Sequence, residues 1–226
     1  MLKSSKKEKN KLKINCFYAG LTKENSVISG DSYYYGEIED NGEYYCVLSD
    51  GMGTGKKACE DSQDAIEYLL ELLKSNFKKE ELIGTLNSLL YFKFESDRYV
   101  TLDLCTIDRN SKEMLLFKAG SAPSFVVRDG GIYKYNSISL PLGILENVKC
   151  KYNSIAIKKN DIIVFITDGI LDSIGEDNLK NKDFERYLEK IKNRDPQTIA
   201  GNILYYALKN QMKVVDDMTV LVAKIL

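Results

Sequence analysis

Histidine is absent from the 226 residues. That removes Ser-His-Asp systems, imidazole general bases and histidine-rich zinc sites in one step. No C-x-x-C pair occurs either. The five cysteines, Cys16, Cys46, Cys59, Cys105 and Cys150, are odd in number and scattered, and Cys46 and Cys105 sit inside apolar, strand-like runs. Such usage reads as reduced thiols in a cytoplasmic compartment and not as a disulfide framework. Long apolar runs are missing: nothing approaches the roughly 18 consecutive residues that mark a membrane span. Met1–Lys13 lacks the apolar centre of a signal peptide. Neither charge is in excess, with 32 basic against 33 acidic residues, so a dedicated nucleic-acid surface is not expected. Any metal in such a chain must be held mainly by oxygen.

What is present is a foldable core, since 44% of the residues are hydrophobic. Residues 1–13 carry six lysines against one glutamate and no hydrophobic periodicity. They read as a disordered basic tail or linker, with a membrane-surface or partner-binding arm as the alternative. A single domain is expected over 14–226. Tyr33–Glu39 and Tyr44–Leu48 flank Asp40-Asn41-Gly42, a turn signature, and so predict a hairpin. Apolar residues at helical spacing predict helices over Lys57–Lys74 and about Lys79–Phe94. Short strands follow at Tyr99–Asp108, Glu113–Ala119, Ser124–Arg128, Ile132–Tyr135, Val148–Ile157 and Asp161–Thr167. Two further helices are predicted near Asn178–Ile191 and Pro196–Lys209, the second with Asp195 as cap and Pro196 in its first position. Met218–Ile225 closes the chain as a strand. Short turns imply antiparallel pairing, and the helices come in pairs. The pattern is α+β, best satisfied by two face-to-face sheets with helices outside.

Two of the apolar strands end alike. Tyr44–Leu48 runs into Ser49-Asp50-Gly51, and Ile162–Ile166 runs into Thr167-Asp168-Gly169. In each, an aspartate stands at the sheet end and the following glycine is expected to let the backbone turn. Asp216-Asp217 precedes the last strand, and Asp31 stands at the mouth of the hairpin. A single Asp-Gly is usually only a turn, but four acidic sites at strand ends can converge in a sandwich. Converging carboxylates raise one another's pKa unless a counter-charge is present. Two divalent cations supply it, and all-oxygen ligation points to Mg²⁺ or Mn²⁺. Such a pair, about 3.5–4 Å apart, activates a water for in-line attack on phosphorus without histidine or a nucleophilic side chain. The loop Gly51-Met52-Gly53-Thr54-Gly55-Lys56 is not a P-loop, because Asp50 and Lys57 occupy the positions of its first glycine and its Ser/Thr. It can still form a glycine-rich nest for phosphate. An aspartyl-nucleophile phosphohydrolase is disfavoured, since Met52 and Ile170 stand where its second acid belongs.

Seven stretches fall in the order found in the type 2C metal-dependent protein phosphatases. They are Ser29-Gly30-Asp31-Ser32, Ser49-Asp50-Gly51-Met52-Gly53, Thr101-Leu102-Asp103-Leu104, Gly120–Phe125, Leu140–Ile144, Thr167-Asp168-Gly169-Ile170 and Asp216–Val220. From about Ile14 to the end the chain resembles that family, most closely its sporulation branch. The resemblance implies a four-layer αββα sandwich holding two Mn²⁺ or Mg²⁺ ions between the sheets. It assigns Asp50 as bridging ligand with the Gly51 carbonyl on one metal, Asp168 on the other, and Asp216 as the third acid, with Asp217 its alternative. Asp31 resembles an acid that reaches the metals through water. Asp103 and Asp172 read as structural. The general-acid histidine of some relatives and the phosphate-clamping arginine of others have no counterpart. The resemblance further implies a phosphorylated anti-sigma-factor antagonist as substrate, a membrane anchor in a separate N-terminal region, and regulation linked to dimerisation and the two helices after Asp50. The competing expectation is a catalytically silent binding domain of the same fold, which should have lost metal acids.

Overall fold

Alternation along the central strands sorts their side chains onto two faces. The structure, a computed structural model, describes residues 12–38, 42–75, 77–94, 97–148, 151–209, 211 and 213–226. In β3 (Glu43–Gly51), Tyr45 and Val47 join one buried cluster while Cys46 and Leu48 join another, as the two-residue period of a strand requires. Around it, β2 (Asp31–Glu37), β4 (Val100–Asp108), β5 (Glu113–Ala119) and β8 (Tyr152–Ala156) complete a sheet in the order β2-β3-β4-β5-β8. A second sheet contains β1 (Ile14–Leu21), β10 (Met218–Ile225), β9 (Ile162–Ile166), β6 (Ser124–Arg128) and β7 (Gly131–Tyr135), paired in that order. Every pairing is antiparallel.

The sheets meet through Cys46, Leu48, Cys105 and Leu116 on one side and Val126, Ile163, Phe165 and Leu221 on the other. Outside the first sheet lie α1 (Lys56–Lys74) and α2 (Lys79–Lys93), which bury Leu69, Leu73, Leu82, Leu86 and Leu90 against Val47, Leu102, Leu104 and Phe117. Outside the second lie α3 (Asp168–Ile174), α5 (Asp183–Ile191) and α6 (Pro196–Leu208), with Phe184, Leu188, Ile199 and Ile203 packed on Phe125, Val164 and Val220. Each such side chain contributes about 1.5–3 kcal/mol of burial. The result is the expected four-layer αββα sandwich.

Several expectations shift. The helix expected over Asn178–Ile191 is two, α4 (Glu176–Lys180) and α5, because Lys182 takes a left-handed φ of 59° and breaks the ladder. Two elements were not anticipated. The first, β1, is a half-exposed edge strand, with Tyr18 and Leu21 both open to solvent, so its pattern lacks clean alternation. The second, α3, is only seven residues long and carries Gly169 in its first turn, too short for helical periodicity to register. The strand expected over Val148–Ile157 shortens to β8. The hairpin pairing of β2 with β3 is present, whereas Asp40 and Asn41 of its turn, Cys150 and residues 1–11 of the basic tail lie outside the described residues.

Candidate active site

The inward-facing positions of the β2–β5 sheet are apolar until one end. On β3 the inner series Cys46, Leu48 is continued by Asp50, and on β2 Tyr33 gives way to Asp31, the register partner of Asp50. The other sheet reaches the same end with Thr167 and Asp168 after β9 and Asp216-Asp217 before β10. Thr167 stitches the two sheets together: its Oγ1 accepts from the Thr219 N–H at 2.9 Å and donates to Asp31 Oδ2 at 3.1 Å. The sequence-predicted acids Asp31, Asp50, Asp168 and Asp216 are therefore brought to one place from two sheets.

Their electrostatics record the crowding. Burial pushes Asp50 up to about 9, helped by the charges of Asp31, Asp168 and Asp216. Asp31 is pushed up to about 7, first by burial and then by Asp217 and Asp168, against hydrogen bonds from Thr219 and Thr167. Asp168 is also raised, by burial and by Asp216. The interaction between Asp50 and Asp168 pushes the Asp50 carboxyl further up. None of the principal charges acting on these three groups is positive.

The adjacent acids Asp216 and Asp217 do different things. Asp217 is buried, and both its oxygens are engaged by backbone: Oδ1 accepts from Lys23 N and Oδ2 from Gly30 N, each at 2.7 Å. It anchors the segment that leads into Asp31. Asp216 instead directs its charge at Asp50 and Asp168, and its Oδ1 accepts from the Asp217 N–H at 2.9 Å.

The glycines of the two Asp-Gly pairs are there for space. Neither adopts the left-handed conformation expected of a turn glycine. A Cβ on Gly51 would lie 2.0 Å from the Ala58 carbonyl oxygen of α1, and one on Gly169 would lie 2.1 Å from the Asp217 carbonyl oxygen. Each aspartate is thus pressed by its neighbouring glycine onto another element. The loop after Gly51 enters α1 with Gly55 as N-cap.

The donor set suits a hard cation. It consists of carboxylates and a backbone carbonyl, and the Asp31 Oδ1 is buried with no protein partner, so oxygen-loving divalent ions fit it. Among the described residues no three acidic or thiol side chains close on a single point. Two acids read as structural from sequence also bear on the site. Asp172, one turn along α3, adds its charge to Asp168. Asp103 lines the cleft between the sheet ends, together with Asp50, Thr101, Ser121 and Asp168. The signal that could have revealed Asp103 was its phase: it is an inward position on a strand whose deeper inward residues, Cys105 and Ile107, are apolar.

Comparison with known proteins agrees with this architecture. Residues 40–226 match the family Stage II sporulation protein E (SpoIIE). The chain is 32% identical over 210 residues to stage II sporulation protein E of Bacillus subtilis (strain 168), covering 92% of this chain and 25% of that protein. It is 23% identical to the phosphoserine phosphatase RsbU of the same organism, covering 87% of this chain and 59% of RsbU. The chain therefore spans about a quarter of the sporulation protein's length. The solved PP2C phosphatase domain of SpoIIE from Bacillus subtilis, with a fragment of its regulatory domain, superimposes with a TM-score of 0.85 at 30% identity, over 96% of this chain and 64% of that one.

Proposed function

The chain belongs to the SpoIIE family of PP2C-type serine/threonine phosphatases, and from that membership we propose that it is a metal-dependent protein phosphatase acting on phosphoserine or phosphothreonine. The observation that carries this reading is the convergence of Asp31, Asp50, Asp168 and Asp216 from two sheets with no positive side chain among the principal charges acting on them. Two Mn²⁺ or Mg²⁺ ions would be held by Asp50, Asp168 and Asp216, with the Gly51 carbonyl as a further ligand and Asp31 acting through water. When bound, the ions supply positive charge to the phosphoryl group and polarise the attacking water.

The chain's own residues do the rest. Asp50, whose carboxyl is raised to about 9 by burial and by its acidic neighbours, must lose its proton before it can act as a full ligand. Asp217 spends its carboxylate on Lys23 and Gly30, which fixes the approach of Asp31. Without histidine, the leaving serine or threonine oxygen takes its proton from water or departs unassisted.

The relatives extend the reading. A phosphorylated anti-sigma-factor antagonist is the proposed substrate, in sporulation control, and RsbU is by name a phosphoserine phosphatase. No described helix is long and apolar enough to cross a membrane, and the domain is proposed to work on the cytoplasmic side of a protein anchored elsewhere in its length and regulated through dimerisation. The test is phosphate release from a phosphoserine protein across a Mn²⁺ titration. Metal-dependent release that falls at least about 100-fold in Asp168→Asn is expected for a lost charge-stabilising group. Release that survives Asp168→Asn would mean the site is misassigned, and a wild-type protein silent at every Mn²⁺ concentration would favour a binding domain.

A further inference from the structure

One pair of charged residues inside the sandwich has no part in the scheme above. In the register of the β2–β5 sheet, Asp103 on β4 is opposite Leu48 on β3 and Lys118 on β5, while Asp50 is opposite Thr101. Cross-strand partners share a face, and so do alternate residues. Asp103 and Lys118 therefore lie on the inner face, in the layer directly beneath Asp31 and Asp50. Both side chains are almost completely buried, at 1% exposure each. The deeper inward positions Cys46, Cys105, Ile107, Met114 and Leu116 are all apolar or thiol side chains. An ion pair here, one layer below the reacting groups, costs desolvation that a Leu–Met pair would avoid. Packing does not explain it.

The hydrogen bonds show what the pair holds. Lys118 Nζ donates to Asp103 Oδ1 and, at 2.7 Å, to Ser124 Oγ of the opposite sheet. Ser121 Oγ, from the loop between β5 and β6, donates to the same Asp103 Oδ1 at 2.9 Å. All donors converge on one carboxylate oxygen. The other, Asp103 Oδ2, is buried and has no protein partner. A buried carboxylate oxygen without a donor is costly unless water or a ligand supplies one. Asp103 and Ser121 also line the cleft whose walls include Asp50 and Asp168.

We infer that Asp103, charge-balanced by Lys118, is a positioning residue of the cleft: its Oδ1 pins the Ser121 hydroxyl, and its free Oδ2 holds an ordered water facing Asp50 and Asp168. This deepens the phosphatase reading and rests on it for its kinetic consequence. Lys118 serves to neutralise the carboxylate locally, so that Asp103 adds an acceptor to the cleft without adding a further uncompensated charge to four crowded acids. With no histidine in the chain, a fixed acceptor is one of few means of orienting a water there.

The test compares two double variants, each of which removes both charges so that neither is stranded. Asp103→Leu with Lys118→Met fills the space with apolar side chains and is expected to fold with little change in melting temperature. With para-nitrophenyl phosphate and saturating Mn²⁺, its kcat should fall about 10- to 100-fold, with KM and the Mn²⁺ half-saturation point unchanged. Asp103→Asn with Lys118→Met keeps one oxygen acceptor and should recover part of that loss. A purely structural ion pair predicts the same kcat in both variants, within about twofold of wild type, and that result would overturn the inference. A crystal structure of the wild-type protein gives a readout independent of activity. It should show a water in hydrogen-bonding distance of Asp103 Oδ2, and an empty or protein-filled position there would sink the inference. If the wild-type protein hydrolyses no phosphate ester, the phosphatase reading fails, and the crystallographic water alone decides the positioning role.

Discussion

At the scale of single residues, neighbours in sequence have opposite tasks. Asp216 directs its charge at Asp50 and Asp168, whereas Asp217, whose charge is felt by Asp31, commits both oxygens to backbone N–H groups. Asp216→Asn keeps the acceptor for the Asp217 N–H but removes repulsion, so the metal-free protein should melt no lower than wild type at pH 8 while losing the stabilisation by Mn²⁺. Asp217→Ala strands the N–H groups of Lys23 and Gly30 and should destabilise the metal-free protein by about 1–3 kcal/mol. Thermal melts of both variants, with chelator and with Mn²⁺, separate the two roles. Equal behaviour of the two would refute the division. This distinction was not legible in the sequence, where D-D before a strand offers two equivalent candidates and only the directions of the side chains divide them. The four converging acids were legible, because Asp50, Asp168 and Asp216 flank apolar strands and Asp31 stands at the mouth of the hairpin. Asp103 was not: one acid inside a strand looks structural until its register with Asp50 and Lys118 is known.

At the scale of elements, the central strands and the long helices α1, α2 and α6 were readable because they are strongly periodic. Residues with little pattern gave the misses: edge strand β1, short α3, and the break at Lys182. Contacts between elements were also hidden. Gly51 touches the Ala58 carbonyl of α1, which ties the first helix directly to the strand end that carries Asp50. Gly51→Ala drives a methyl into backbone that a rotamer change cannot clear, so a cost of about 1–3 kcal/mol is expected, together with weakened Mn²⁺ dependence of activity. Leu69→Ala, in the same helix but facing the core away from the site, should cost about 2–5 kcal/mol and leave the Mn²⁺ dependence unchanged. Denaturant unfolding alongside Mn²⁺ titration checks the pair. If Gly51→Ala alters stability alone, the contact is packing and not part of the site's support.

At the scale of the molecule, the acids are contributed by both sheets, so their titration is a property of how the sheets meet. Asp31 and Asp50 are raised to about 7 and about 9 in the folded chain, against roughly 3.9 for an unfolded aspartate. The folded state then holds more protons than the unfolded state between these values, and stability falls as pH rises. The contribution is fully present below about pH 4 and is lost as pH passes 7 and then 9. With chelator, the melting temperature should therefore decline from pH 6 to pH 8, and the gain on adding Mn²⁺ should be larger at pH 8, where fewer protons compete. A gain independent of pH would show that the ions bind elsewhere. The pairing of β1 with β10 has a different kind of consequence. Ile14 faces Ile225 at one end of this ribbon, and Leu21 faces Met218, next to Asp217, at the other. Eight residues of strand separate the two ends by about 25 Å. A bead, a dye or a fused protein joined beyond Ile225 is consequently tethered on the side remote from the carboxylates, and a bulky substrate can approach an immobilised molecule without meeting its leash.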